Sequence, residues 1–514
     1  MATFGLLSAG VTRAEGIDSS TIKKNITLVL LNDCYEIAPQ NQGTASGMLG
    51  GMARIKGAYD LIRNQNPHTL FLHAGDFLSS SVASILYGGK QMIDVMNLME
   101  FDAVALGNHE FEFGLETLLQ RMKESRFQYL AANVKNKKTG TYLELAPPHK
   151  IFERDGIKIG VFSLTTADTK ILSFPGPDIE FEDYLATAKS EVVALKNEGA
   201  DVIVALTHLG LSEDRKLALE VSGIDLILGG HEHHVITENH NGVPLIKAGH
   251  NGEMIAKVNL EIEISEIDQK IINLEKTFEI IPITSATPEN TTVENLVTAY
   301  EKDISEKLDQ KIATFTVPAD TRRKFIATQE SGIMNHVSDL LRKTLKADIA
   351  FINAGNLRTE RVLEAGPVTT KTVMAMFPFA VSITKVKVSG KTILNNIEHG
   401  LKNYGEGNTR FLHVSGIALQ YDSRRNEGNR IVSVTLSNGA TFSEDKTYDL
   451  AIDTFLLEGG DGFSFPDATR LIRKEDEVNK TTILLKEWAG KEITPSLDGR
   501  SINIAHCEKS LKGQ

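Results

Sequence analysis

Residues 224–234 read IDLILGGHEHH, an apolar run that stops abruptly in two glycines and a cluster of histidines. Just upstream, residues 201–208 read DVIVALTH, again an apolar run closed by a histidine. The pattern occurs three more times toward the N-terminus: ITLVLLND at 26–33, HTLFLHAGD at 68–76 and DAVALGNHE at 102–110. Short runs rich in Val, Ile and Leu, each ending in a polar side chain, are what buried strands of an α/β sheet look like, with the chemistry placed at the strand ends. Five such endings in order bring Asp33, Asp76, Asn108, His109, His208, His231 and His233 to one rim.

Outward from these runs, strand-like segments alternate with amphipathic helical stretches, for example 51–64 and 181–197, from about residue 25 to 285. That alternation predicts an α/β domain with a largely buried sheet. The runs VPLIKAG (243–249) and IAKVNLEIEI (255–264) read as antiparallel strands closing it. IPITSATPEN (281–290) breaks the pattern with two prolines, so 286–309 is read as a linker followed by a helix from about 293 to 308. From about 310 to 505 a helix (332–345) mixes with hairpin-like segments, FLHVSGIALQYD (411–422) and IVSVTLSNGATF (431–442), which predicts a smaller α+β domain. The last residues, EKSLKGQ, read as a frayed end.

A chain of 514 residues is too long for one ordinary core, in keeping with two domains. The net charge of −12 argues against a basic groove for polymeric nucleic acid, though a bound metal pair can supply positive charge locally to a small phosphorylated ligand. The two cysteines, Cys34 and Cys507, form no disulfide framework, and Cys34 reads as a small buried residue in a strand-end turn. No run is long enough to span a membrane. Residues 1–24 read as a leader: ATFGLLSAGV followed by Thr12-Arg13-Ala14 has the apolar region and small-x-Ala site of a signal peptide but no basic stretch before it. A periplasmic or secreted location is therefore the expectation, with a cytoplasmic one as the alternative. The sequence leaves the oligomeric state open.

Two Asp, one Asn and three His of ligand type form a donor set for two divalent cations, Zn, Mn or similar. Such a pair lowers the pKa of bound water from about 16 to about 7 and clamps the oxygens of a phosphoester, so the expected reaction is attack by metal-bound hydroxide. Asp76 is the expected bridging carboxylate, Asp33 holds one ion, and Asn108 and His208 hold the other. His231 and His233 reach both ions if the chain bends at Gly229 and Gly230. His109 is placed to steady charge on the phosphoryl group or to protonate the leaving alkoxide, with Glu112 three residues on to orient it. Glu110 reads as a plain helix-start acid, favoured there by the helix dipole. His73 reads as a packed core histidine, and His234 and His240 as loop residues.

The motifs Gly75-Asp76, Gly107-Asn108-His109-Glu110, Thr207-His208 and Gly230-His231-x-His233 resemble those of the metallophosphoesterase (calcineurin-like) superfamily. NAGNLR (353–358), FPF (377–379) and TFLLEGGDGF (454–463) resemble the C-terminal domain of the 5′-nucleotidase family, so the resemblance spans about residues 25–505. It implies an N-terminal α/β sandwich with two metals and a C-terminal domain that binds the nucleotide. Phe379 and Phe455 would stack on the base, Asp461 would accept from the ribose hydroxyls, and Arg358 would approach the phosphate. The resemblance further implies hydrolysis of a 5′-nucleotide to nucleoside and phosphate, with domain rotation during turnover. The chain departs from the pattern at Tyr35, where the family's Asp-x-His motif carries histidine, and at Val381, where better-known members carry asparagine. The alternatives are a phosphatase or pyrophosphohydrolase of sugar phosphates or nucleotide sugars, and a silent binding protein disarmed at Tyr35.

Overall fold

The computed structural model describes residues 21–41, 47–267, 269–379, 381–405 and 407–505. Most of the expected leader, Cys507 and the segment EKSLKGQ lie outside the described residues, and residues 21–24 already belong to the first strand, Thr21–Leu31.

Alternation within single strands builds the N-terminal layers. In Thr21–Leu31, Ile26, Leu28 and Leu30 pack into one core, whereas Val29 and Leu31 pack into another on the opposite face. The strand Val202–His208 does the same, with Val202, Val204 and Leu206 facing one way and Ile203 and Ala205 the other. Period-two side chains with both faces apolar require a sheet covered on both sides. Two six-stranded sheets accordingly meet across the shared core, each with helices on its outer face. The first runs in the order Ile271–Pro282, Met254–Ser265, Thr21–Leu31, Thr69–His73, Ala103–Ala105, Gln128–Leu130; its last four strands are parallel. The second runs Val235–His240, Val243–Ala248, Leu226–Gly229, Val202–His208, Ile157–Thr165, His149–Arg154, with its four inner strands parallel. The expectation of two antiparallel closing strands needs correction at VPLIKAG: it lies antiparallel to Val235–His240 but parallel to Leu226–Gly229. His240 correspondingly ends a strand rather than sitting in a loop.

Residues 313–493 contribute a separate core around a mixed sheet ordered Leu412–Ser415, Ile349–Asn353, Thr447–Asp453, Ser382–Ser389, Thr469–Arg470, flanked by the helices Gly332–Thr344, Gly390–Gly400 and Lys480–Trp488. FLHVSGIALQYD is not a hairpin. Gly416, at φ +84, turns the chain out of this sheet, and Ile417–Tyr421 pairs in another with Ile431–Leu436 and Ser501–Asn503. The helix Thr291–Leu308 joins the two halves: Val293 and Val297 pack into the N-terminal core, while Ile304 and Leu308 form a small cluster with Val82 and Ala83, against which Met374 and Ala375 pack.

Candidate active site

Parallel strands that run side by side end side by side, and here their ends converge on one point. Asp33 and Asp76 follow the first two parallel strands of one sheet; His208 ends and His231 follows two neighbouring strands of the other. Asp33, Asp76 and His231 all have positive φ, at 50, 64 and 83 degrees, so each strand exit is a tight left-handed turn. Asp, Asn and His tolerate that region better than other non-glycine residues, and strain of this kind collects at functional sites. Gly75 and Gly107 let the two turns touch: a Cβ on Gly107 would meet Asp76 Oδ1 at 2.2 Å, and one on Gly75 would meet the Gly107 nitrogen at 2.7 Å.

The donors come together as two groups that share Asp76. In the first, Asp76, His208 and His231 place one ligand atom each within 4.8 Å of one another, and His208 Nε2 stands 3.1 Å from Asp76 Oδ2. In the second, His233 Nε2 lies 3.7 Å from Asp33 Oδ1. Tyr35 stands among them, its hydroxyl 3.0 Å from His233 Nε2, 3.2 Å from Asp76 Oδ2 and 3.4 Å from Asp33 Oδ1. Asn108 Oδ1 is buried without a hydrogen-bond partner. A buried polar atom left unpaired is costly, and a cation would satisfy it. Burial and the charge on His208 lower the His231 pKa to about 3, and burial with the charge on His250 lowers that of His233 well below 6.5, so both imidazoles are neutral. His208 is the opposite case, its pKa raised against burial to about 10 by the Asp76 carboxylate, so a cation there would take the place of its proton. These residues therefore fit divalent cations, which calcineurin-like phosphoesterases typically bind.

His109 is turned toward this group. Its backbone N–H donates to Asp76 Oδ1 at 2.8 Å, its Nδ1 lies 3.0 Å from Glu112 Oε1, and its Nε2 lies 3.9 Å from Asp76 Oδ2. Burial alone would depress its pKa, but the Asp76 and Glu112 carboxylates outweigh burial and raise it above 6.5. The C-terminal half reaches over the same spot. Phe379 stacks on the His109 ring at 6.5 Å and 15°, and the Arg358 guanidinium lies 5.6 Å from the Phe379 ring and 5.9 Å from that of Tyr35. A cavity of about 110 Å³ opens beside Tyr35, His233, His250 and Arg358.

The remaining sequence-predicted residues sit apart. Phe455 meets the ring of Phe174, from the N-terminal half, at 6.4 Å, and the two line a cavity of about 490 Å³ with Lys137, Lys170 and Glu458. Asp461 is buried, and one of its carboxylate oxygens accepts from Asn353 Nδ2 at 2.6 Å. Cys34 is buried with its sulfur 3.6 Å from Met52 Sδ, and His73 is buried beneath the site, its Nδ1 accepting from the Gly75 N–H at 3.1 Å.

Glu110 is the main correction. It does stand at the start of a short helical turn, His109–Phe111, but it is no plain helix-start acid: it is 0 % exposed and its carboxylate gathers four backbone N–H groups. Oε2 accepts from Asp76 at 2.9 Å and Gly107 at 2.5 Å; Oε1 accepts from Phe77 at 2.8 Å and Leu78 at 3.2 Å. It thus pins the Asp76 turn to the Asn108 turn. Three more residues escaped the sequence reading. Asn32 spans Asp33 Oδ2, the Gly249 carbonyl and the Ala248 N–H. Lys247, also fully buried, donates to the carbonyls of Leu209 and Gly230 and pairs with Asp214 and Glu232, so it ties the His208 and His231 turns together. A lysine inside the apolar run VPLIKAG was the available signal for it. No signal marked Arg323, whose pKa burial and the neighbouring Arg358 charge lower.

Known proteins resemble this chain in sequence and fold. Residues 26–235 match the family described as calcineurin-like phosphoesterase, and residues 311–468 match the 5′-nucleotidase C-terminal domain. The chain is 27% identical over 530 residues to the 5′-nucleotidase of Bos taurus, covering 92% of this chain and 90% of that protein. It is 28% identical over 517 residues to the trifunctional nucleotide phosphoesterase protein YfkN of Bacillus subtilis, covering 91% of this chain but 35% of that protein, so the chain spans about a third of that relative. A crystal structure of a 5′-nucleotidase precursor from Thermus thermophilus superimposes with a TM-score of 0.81 at 26% identity, covering 93% of this chain and 99% of that one. The chain is a phosphoesterase hydrolase that belongs to the 5′-nucleotidase family, a calcineurin-like N-terminal domain followed by a 5′-nucleotidase C-terminal domain.

Proposed function

We propose that this chain hydrolyses nucleoside 5′-monophosphates to nucleoside and inorganic phosphate. The observation that carries the reading is the meeting of His109 and Glu112 with Arg358 and Phe379: an acid–base pair from one domain faces a phosphate-seeking guanidinium and a base-stacking ring from the other. Asp33, Asp76, Asn108, His208, His231 and His233 would hold two divalent cations, which when bound supply a hydroxide nucleophile at neutral pH and offset phosphoryl charge. Glu112 fixes the His109 ring through Nδ1 and favours its charged form, leaving Nε2 to donate a proton to the departing alkoxide or a hydrogen bond to a phosphoryl oxygen. Arg358 grips the phosphate in its planar fork. Phe379 and Phe455 offer ring faces to the base, and Asp461 is the acceptor for ribose hydroxyls.

The division at 286–309 and an exported location belong to the same proposal; among the described residues no helix is long and apolar enough to cross a membrane. One observation favours a second reading, hydrolysis of sugar phosphates or nucleotide sugars: the ring of Phe455 meets that of Phe174 and lines a cavity that Phe379 does not share.

The test is phosphate release from nucleoside monophosphates, sugar phosphates and UDP-glucose, with Mn²⁺, with chelator, and with His109→Ala. Metal-dependent turnover led by nucleoside monophosphates and lost in the variant is expected. Turnover led by sugar phosphates would replace the substrate assignment, and no turnover with any metal would leave a binding protein.

A further inference from the structure

We propose that the two cation positions are unequal by construction: the position built on Asp76, Asn108, His208 and His231 binds its ion tightly, whereas the position built on Asp33, Asp76 and His233 binds its ion weakly until the substrate's phosphate arrives. This rests on the metallophosphoesterase reading above.

The first position has four side-chain donors, one of them (Asn108 Oδ1) buried and unpaired. The second has three, and where a fourth would stand the chain places Tyr35. The phenol does not simply fail to add a donor. Its hydroxyl lies within hydrogen-bond distance of His233 Nε2, Asp76 Oδ2 and Asp33 Oδ1, and each of those is a lone pair that the second ion needs. Asp33 has no reserve, because its Oδ2 already accepts from Asn32 Nδ2 at 2.7 Å and from the His231 N–H at 2.9 Å.

The tyrosine is also held in place. It is 5 % exposed, its ring stands edge-on to His109 at 5.4 Å and 85°, and the Arg358 guanidinium covers it at 5.9 Å. Arg358 is the group that would draw a phosphate to this spot. A phosphate oxygen delivered there supplies the donor that the protein withholds, so the second ion and the substrate bind cooperatively.

The experiment is calorimetric titration of the metal-stripped full chain with Mn²⁺, alone and with inorganic phosphate, for the wild type, Tyr35→His and Tyr35→Phe. The wild type should bind one ion tightly and a second at least about tenfold more weakly, the scale on which even indirect ligand contacts act. Phosphate should tighten the second step and leave the first unchanged. Tyr35→His should bring the two affinities together. Tyr35→Phe, which keeps the ring outline and removes the hydroxyl, should retain two unequal steps. Two equal steps in the wild type, or a second step unmoved by phosphate, would overturn the proposal without any variant. Loss of the second ion in Tyr35→Phe would also overturn it, by making the phenol a ligand. Binding of no ion at all would sink the metallophosphoesterase reading itself.

Discussion

Replacing Glu110 by glutamine changes one oxygen for one NH₂ group and almost nothing in volume, which makes it a clean probe of the loop that carries Asp76. In the native chain each carboxylate oxygen accepts two backbone N–H groups, Gly107 and Asp76 at one end, Phe77 and Leu78 at the other. Whichever way the amide is turned, its NH₂ end faces two donors and can accept from neither. Hydrogen bonds to a charged acceptor contribute about 1.5–3 kcal/mol each, so losing two costs roughly 3–6 kcal/mol. The structure offers no escape, because the carboxylate is fully buried. Burial, then the Asp76 charge, push the Glu110 pKa up, and the N–H groups of Phe77, Asp76 and Gly107 pull it down, so the side chain depends on those groups as much as they depend on it. The assay is urea unfolding of the metal-free chain followed by far-UV circular dichroism, comparing wild type with Glu110→Gln in the transition of the N-terminal half. Mn²⁺ affinity should fall in parallel, since the same bonds set the Asp76 turn. A variant within about 1 kcal/mol of wild type, on a scale where surface changes stay within ±0.5, would refute the idea that this carboxylate holds the two turns together.

Three further outcomes are expected. Glu112→Gln keeps a partner for His109 Nδ1 but removes its charge; kcat for phosphate release should fall by about tenfold or more, within the range that general acid–base groups contribute, with KM little changed. Lys247→Met leaves Asp214 and Glu232 facing a methyl group, and breaking a buried ion pair in this way costs about 3–5 kcal/mol, to be read as a lower urea midpoint. His413 is buried with Nε2 on the Ile326 carbonyl, and burial lowers its pKa to about 4. The unfolded chain takes up that proton as pH drops through 6.5 while the native chain does not until about 4, so stability falls between those values by roughly 3 kcal/mol. Fluorescence of the single tryptophan, Trp488, in the same C-terminal core should follow this loss, and His413→Gln should flatten it.

What the sequence disclosed and what it hid divide along physical lines. Apolar runs with polar ends were legible because both faces of each strand are covered, so Val29 and Leu30 are equally buried although they point opposite ways. The ligand set was legible because its members terminate those runs. Glu110 was hidden since its work is done on backbone N–H groups, which every residue has, and no pattern of side chains announces them. Strand direction at VPLIKAG was hidden for a similar reason: one strand can pair both ways, and apolar content does not record the sense. FLHVSGIALQYD misled because Gly416 turns the chain between sheets where the same residues suggest a return within one. Phe455 and Phe174 illustrate the remaining gap, a contact between halves of the chain 281 positions apart that no local spacing reveals.

The left-handed turns at Asp33, Asp76 and His231 restrict what this centre can become. At these three positions a replacement must suit both the backbone and the metal: glycine fits the turn but donates nothing, glutamate donates but strains the turn, and β-branched residues fail twice. Tyr35 is under no such double constraint, for its φ is not among the positive values. Exchange at Tyr35 therefore meets no backbone penalty while exchange at its neighbour Asp33 does, and the one departure in the ligand set stands where the backbone permits it. Attempts to retune this centre by laboratory evolution would find backbone freedom at Tyr35, as at Asn108, His208 and His233, and none at the three left-handed turns.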